Sequence, residues 1–482
     1  MKASHLRQVS RLGTGITPTS GIADIHPKLA LEEAMLRYVD AIFRKFSDTG
    51  VPWCLLRNHD SIPSRLVDGS DIDIVVPDKL STSDLIRFLA DLCPVHIVPR
   101  RGVVSFYIPV EDRFLRLDYL RDQRWLGAPL VRNAEILASR RQLDGIPVAS
   151  DLHQAFFAWF HSVLWGGFFK DRYAPLIYET YHKKPEEMRA LLLRFFGHRI
   201  GSRLLNCVAN HQLHDSVFLS GKARRILWLR SLVQNPISTL SGFVHHFWQE
   251  LAMRHPAFSP GVMIAILGPD GAGKSAVCTA LATAPKMSLP FTSVSFQHLY
   301  RNTLPPLKDL RRGRLQPRST LMPISNPHSS TAHGTIISAI RMGYYLADQW
   351  LSELRWGRHQ LAKNALRLHD RHAIDSLADP RRYRFGCPSW LVRLYARLSP
   401  RPDLVIVLDA PIEVLQARKQ EVVPEESERQ RAAYRTLVRQ IPNGHIVDAS
   451  RPLPEVVQEV REIIIQLVAQ RTSRRFNLRS TL

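Results

Sequence analysis

Val262-Met263-Ile264-Ala265-Ile266-Leu267-Gly268-Pro269-Asp270-Gly271-Ala272-Gly273-Lys274-Ser275 is the stretch on which the fold of this chain turns. Six apolar residues ending at a glycine read as a buried strand. Gly268 to Ser275 then fits G-x-x-x-x-G-K-[ST] and leads into the helical run Ala276 to Leu281, which is the strand, loop and helix order that a phosphate-binding P-loop requires. The chemistry accounts for the spacing. Glycines at 268, 271 and 273, with Pro269, Asp270 and Ala272 between them, let the loop wrap with its N–H groups inward, and the field of the following helix N-terminus favours a polyphosphate there. Lys274 supplies charge at the β- and γ-phosphates and Ser275 a hydroxyl for Mg²⁺. ATP with Mg²⁺ is the expected ligand.

Outward from this loop, apolar runs recur at Ser293 to Gln297, Leu366 to His369, Leu404 to Leu408 and His445 to Val447, with helical segments between them. Such alternation predicts an α/β fold with a parallel sheet. Thr303 to His333 interrupts it with five prolines and the cluster Arg311, Arg312, Arg314 and Arg318, and reads as a long functional insertion. Upstream, Arg254 to Pro260 marks a boundary. From Asp151 to His255 the aromatic-rich periodicity is helical, and from Leu29 to Phe46 it predicts an amphipathic helix. Between these lie short runs, Trp53 to Leu56, Ile72 to Val76, Val95 to Val98, Val103 to Ile108 and Phe114 to Leu120, which predict a mixed sheet with a helix over Thr82 to Leu92. The expected organisation is a flexible extension over 1–27, a first α+β domain over 28–150, a helical connector over 151–258, the P-loop domain over 259–470 and a basic tail over 471–482.

The 482 residues are 45% hydrophobic and 22% charged, a globular composition that excludes general disorder. No apolar run approaches the roughly 18 residues of a membrane span. Lys and Arg number 65 against 43 acidic residues, giving +22, so phosphate-bearing partners fit the charge. Only 13 of the 65 are lysine, a skew that base composition of the genome alone would produce, so charge carries modest weight. Five scattered cysteines without a C-x-x-C pair fit free thiols in a reducing, cytoplasmic compartment.

The segment from about Gly261 to Leu467 resembles the thymidylate kinase family of P-loop kinases. The resemblance rests on the P-loop with its acid Asp270, the Asp370-Arg371 pair after Leu366 to His369, the strand Asp403 to Asp409 with Pro411 and Glu413, and the lid-like charged stretch Arg418 to Tyr434. It implies that Asp370 orders the metal, that Arg371 binds the acceptor and that Asp270 positions acceptor hydroxyls. Because the variable P-loop positions hold no arginine, it also implies a transition-state arginine from the lid, with Arg418, Arg429 and Arg431 as candidates. His372 stands where that family usually has an aromatic residue. Arg301, after the second strand, is a further candidate for acceptor phosphate.

In the first domain, Gly69-Ser70-Asp71-Ile72-Asp73 places two carboxylates at i and i+2 of a strand, hence on one face, while Ile72, Ile74 and Val76 face the core. With Asp118 on a neighbouring strand they could hold divalent metal against a nucleoside triphosphate. Over about Leu29 to Ile146 the chain resembles the nucleotidyltransferase superfamily with the polymerase-β-like fold. Where that family has a Gly-Ser pair at the end of the first strand, this chain has Arg57-Asn58, and Arg57 is the expected phosphate contact.

The leading reading is an ATP-dependent phosphotransferase fused to a nucleotidyltransferase-like domain, with ATP and a small-molecule acceptor as partners and a homodimer left open. Two others stay open: a nucleic-acid-binding ATPase using the Arg311 to Arg318 cluster, which lacks any recognisable nucleic-acid motif, and a regulatory pair that binds ATP without turnover.

Overall fold

The computed structural model describes residues 25–57, 71–89, 92–100, 102–298, 303–305, 331–419 and 423–478. The extension over 1–24, the Gly69-Ser70 pair, Arg301 and the core of the insertion at 306–330 lie outside the described residues.

The predicted parallel sheet is present as five strands in the order Ser293–His298, Ala365–Asp370, Val262–Leu267, Leu404–Asp409, Gly444–Asp448. Every pairing is parallel. All residues of the three central strands are buried, which is why their sequences are continuous apolar runs rather than alternating ones. One face of this sheet packs Ile264, Leu366, Leu368 and Ile406 against Val277, Cys278 and Leu281 of the helix Lys274–Ala282 and against the helix Leu453–Phe476. The central strand has Ala365–Asp370 on one side and Leu404–Asp409 on the other, so the chain changes direction across the sheet beside the P-loop. In open α/β sheets the carboxyl ends of the strands at such a point form the ligand crevice.

The first sheet has seven strands in the order His96–Arg100, Val103–Val110, Arg113–Leu120, Asp71–Val75, Cys54–Leu55, Ile146–Val148, Arg141–Leu143. Asp71–Val75 runs parallel to Arg113–Leu120 with Asp73 opposite Asp118 and Asp71 opposite Arg116. Ile72, Ile74 and Val76 are buried against Val39, Ile42 and Phe46 of the helix Ile25–Asp48, as the alternation predicts. Two local expectations change. The strand over Trp53 to Leu56 shortens to Cys54–Leu55, whereas the helix from Thr82 is present over its described residues, Thr82–Leu89. A short helix, Asn133–Ala138, and a hairpin, Arg141–Leu143 with Ile146–Val148, complete the sheet beyond the predicted strands. They are too short to show a period.

Five α-helices fill 151–254: Asp151–His161, Ala174–Lys183, Pro185–Ala209, Ser216–Gln234 and Pro236–Arg254. Their core centres on Phe156, Trp159, Phe160, Phe195 and Phe196. Pro185–Ala209 is interrupted at Gly197, whose φ of 67° is a left-handed conformation that glycine adopts at no steric cost.

The tail expected over 471–482 is instead, as far as Phe476, the last turns of the helix Leu453–Phe476, and Phe476 and Leu478 pack against the first core. The same helix places Ile465 and Ala469 against Val95, Val98 and Phe114. Arg471, Arg474 and Arg475 give the segment its basic look, while Phe476 and Leu478 after them serve as the anchor. The contact between the sheets is also polar. Phe114 N donates to Met287 O at 2.7 Å, and Asn364 donates through Nδ2 to Tyr107 Oη at 3.1 Å. Asn364 Oδ1 lies 2.8 Å from His96 Nε2.

Candidate functional site

The P-loop closes on itself in the way its glycines permit. Gly268, Gly271 and Gly273 have φ of 141°, 85° and 84°, a region closed to most side chains. A Cβ on Gly268 would lie 2.4 Å from Leu408 O and one on Gly271 2.7 Å from Leu415 O, so these two are also held by contact. Around Gly273 there is open space, leaving the start of the helix accessible to a ligand.

Lys274 is buried and turns back onto its own loop, donating to Gly268 O at 2.9 Å and Pro269 O at 2.7 Å. Burial, with Arg371 nearby, brings its ammonium pKa down to about 8. Ser275 Oγ donates to Asp370 Oδ2. A hydroxyl and a carboxylate in contact at a phosphate loop are hard oxygen donors of the kind Mg²⁺ takes, so these residues fit a nucleotide-bound magnesium.

Arg371 joins the loop to the rest of the crevice. It donates to Asp270 Oδ1 at 2.7 Å and to Asp375 Oδ2 at 3.0 Å. Its φ of 116° lies far from the regions open to a side-chain-bearing residue, a strain that the surrounding pairs must hold in place. Arg382 donates to the second oxygen of Asp270 at 2.5 Å. Burial would raise the Asp270 carboxyl, but Lys274, Arg371 and Arg382 together hold it far below the ordinary carboxylate range. Tyr383 donates to Asp375 at 2.9 Å, and Tyr434 to its other oxygen. Two guanidiniums, an ammonium and a carboxylate thus converge beside the loop, an arrangement suited to gripping two anionic groups at once.

Sequence reasoning brought forward Asp270, Asp370 and Arg371 but assigned no role to Arg382, Asp375 or Tyr383. The Pro380 to Gly386 run following Asp370-Arg371 was the available signal. The three lid arginines are placed differently. Arg418 donates to Ala449 O at 2.8 Å, Arg429 to Glu426 Oε2 at 2.8 Å, and Arg431 to Asp409 Oδ1 at 2.9 Å. None of these bonds reaches Asp270, Lys274 or Asp370. Arg435, unmentioned by the sequence reading, shares Asp409 with Arg431. His372 is buried with Nε2 2.8 Å from Pro400 O, and burial lowers its pKa to about 4.

In the first sheet, Asp71, Asp73 and Asp118 each offer an oxygen within 4.8 Å of the others. Two arginines meet them. Arg57 Nε donates to Asp73 at 2.5 Å, and Arg116 donates through Nε and Nη2 to the two oxygens of Asp118 at 3.0 and 2.6 Å. Burial raises both carboxyls, that of Asp118 to about 6, with the neighbouring aspartates adding to the shift and the arginines opposing it. The three oxygens fit a divalent cation, which would take over charge balance from the guanidiniums.

No protein-family model matches the chain, and no curated protein matches it. Among solved structures it is similar to the thymidylate kinase of Candida albicans, at 17% identity over 43% of this chain and 93% of that one, with a TM-score of 0.32.

Proposed function

We propose that this chain is an ATP-dependent phosphotransferase acting on a small, anionic acceptor. The observation that carries the reading is the pairing of Asp270 with Arg371 and Arg382 beside Lys274, at the carboxyl end of the central strand. The loop and Lys274 grip the polyphosphate, and Ser275 with Asp370 would hold Mg²⁺, which supplies neutralising charge on the phosphate oxygens. An anionic acceptor oxygen, which has no proton to lose, attacks the γ-phosphorus in line, the bond from that phosphorus to the β,γ-bridging oxygen breaks, and ADP leaves with the bonding pair. Arg371 and Arg382 are placed to bind acid groups of the acceptor, while Asp270 holds the two guanidiniums in register and can accept from an acceptor hydroxyl. Arg429 and Arg431 would approach the transferring phosphoryl group only after the helix Pro424–Arg439 shifts, and Arg418, the last residue of the helix Ile412–Arg418, only on leaving Ala449 O.

The test is ATP consumption by the full chain over a panel of nucleoside monophosphates, sugar phosphates, sugars and alcohols. A stimulated rate with one anionic class, lost in Lys274→Ala, supports the reading. ATP binding with no consumption above the protein-free rate for any acceptor leaves the regulatory reading in its place.

A second activity rests on a separate observation, the grouping of Asp71, Asp73 and Asp118. It favours a nucleotidyltransferase-like first domain in which these residues hold Mg²⁺ and Arg57 contacts the triphosphate.

A further inference from the structure

The helix Pro236–Arg254 presents an apolar face to the outside. Ile237, Leu240, Val244, Phe247, Trp248 and Leu251 are all exposed, Ile237 at 84% and Trp248 at 61%. At 3.6 residues per turn these six fill one arc of about 100°. The opposite face is fixed to the protein. Thr239, Gly242 and Met253 are buried, a Cβ on Gly242 would lie 2.8 Å from Gly127 O, and Glu250, the one acidic residue of the helix, pairs with Arg100 at 3.3 Å. The helix therefore cannot roll to hide its apolar stripe.

The antiparallel neighbour Ser216–Gln234 packs beside it, with the Trp228 and Phe243 rings 6.2 Å apart. Its outward stripe is Phe218, Lys222, Arg225, Leu229 and Val233, all exposed, Phe218 at 84%. Here the cations lie within the apolar stripe rather than opposite it. Over 216–254 the hairpin carries Lys222, Arg224, Arg225, Arg230 and Arg254 against Glu250 alone.

We infer that this helical hairpin is a docking surface for an anionic lipid bilayer, lying in the headgroup plane. A soluble chain rarely leaves an apolar patch of this extent uncovered, and the charge decides what covers it. Aromatic and aliphatic side chains enter the acyl boundary while Lys222 and Arg225 meet lipid phosphates at the same depth as the apolar side chains beside them. A second copy related by a two-fold axis would bring the same basic stripe against itself. Among the described residues no helix is long and apolar enough to cross a membrane, so the contact is one of lying on the surface. The inference stands apart from the phosphotransferase reading, because none of these residues touches the P-loop crevice.

The test is co-sedimentation of the full chain with vesicles of phosphatidylcholine alone and of an equimolar mixture with phosphatidylglycerol, at low and high salt. Binding to the mixed vesicles is expected, weakened by salt and by omission of the anionic lipid. Phe247→Glu with Trp248→Glu, and separately Lys222→Glu with Arg225→Glu, should each lower the partition coefficient by at least about tenfold, at an unchanged melting temperature. Lys274→Ala should bind as the parent does. A parent chain that stays in the supernatant overturns the proposal. So does a parent that light scattering shows to be a dimer, dispersed to monomers by Phe247→Glu with Trp248→Glu, since a second copy then covers the face.

Discussion

Arg371 and Asp270 stand 101 residues apart in sequence and 2.7 Å apart in space, and their pair ties the end of the strand Ala365–Asp370 to the P-loop acid. Arg371 also holds Asp375, so one strained residue joins two of the carboxylates of the crevice.

Arg371→Ala leaves Asp270 with Arg382 and Lys274, and the loop proposed to grip the polyphosphate is untouched. Acceptor kcat/KM is expected to fall by about a hundredfold, while affinity for a fluorescent ATP analogue changes only a few-fold. Arg371→Lys should recover little, since one ammonium cannot reach two carboxylates in the fork geometry of a guanidinium. Parent-like acceptor kinetics in the alanine variant would remove Arg371 from the site.

Much of this crevice is legible in the sequence, because its parts are local. A buried parallel strand is a short apolar run, and the loop after Leu267 carries glycines where φ must be positive. Asp370 and Arg371 follow a strand directly. Arg382 is different: its partner Asp270 is 112 residues away, and nothing in Pro380 to Gly386 says which carboxylate it meets. The aspartates of the first sheet follow the same division. The i, i+2 spacing puts Asp71 and Asp73 on one face, but the register that sets Asp118 opposite Asp73, and Arg57 upon it, is a tertiary fact. The helix ending at Phe476 misleads for a related reason. Its basic residues are visible in sequence, whereas the core that receives Phe476 lies some 400 residues upstream.

Lys274 has its pKa brought down to about 8 by burial, with Arg371 adding repulsion. A polyphosphate binds the charged form, so above that pH binding must take up a proton. Nucleotide affinity should hold steady below pH 8 and fall above it, approaching tenfold per pH unit. Titrations of the ATP analogue at pH 7 and pH 9 check the sign. Lys274→Ala should bind more weakly at pH 7, lose the pH dependence, and lose at least about a hundredfold in phosphoryl transfer. A parent that binds equally at both pH values refutes the account.

The buried hydrogen bond of His96 to Asn364 should make the joint between the two sheets acid-sensitive. Burial lowers the His96 pKa to about 4, against an ordinary value of 6.5. The unfolded chain therefore binds more protons than the folded one between these values. Stability from this group is complete above pH 6.5 and is lost as pH falls toward 4, by on the order of 3 kcal/mol at most. The melting temperature should drop between pH 7 and pH 5, and His96→Gln should flatten that drop while keeping a hydrogen bond to Asn364. An equal drop in both proteins would place the acid sensitivity elsewhere.

The first sheet supplies the last prediction. Asp71, Asp73 and Asp118 are balanced by Arg57 and Arg116, so a divalent ion must displace guanidiniums that already satisfy them. Binding that succeeds stabilises the fold, by about 2.7 kcal/mol at a hundredfold excess over Kd, less whatever the released arginines cost. The crevice around Ser275 and Asp370 would respond to the same ion, so the measurement belongs in an Asp370→Asn background without nucleotide. There, Mn²⁺ should still raise the melting temperature, and adding Asp73→Asn should abolish the rise, because only ligand charge is removed while Ile72 and Ile74 keep their packing. If Asp370→Asn alone removes all response to Mn²⁺, the aspartates are held by their arginines as a structural cluster and the P-loop crevice carries the chemistry by itself.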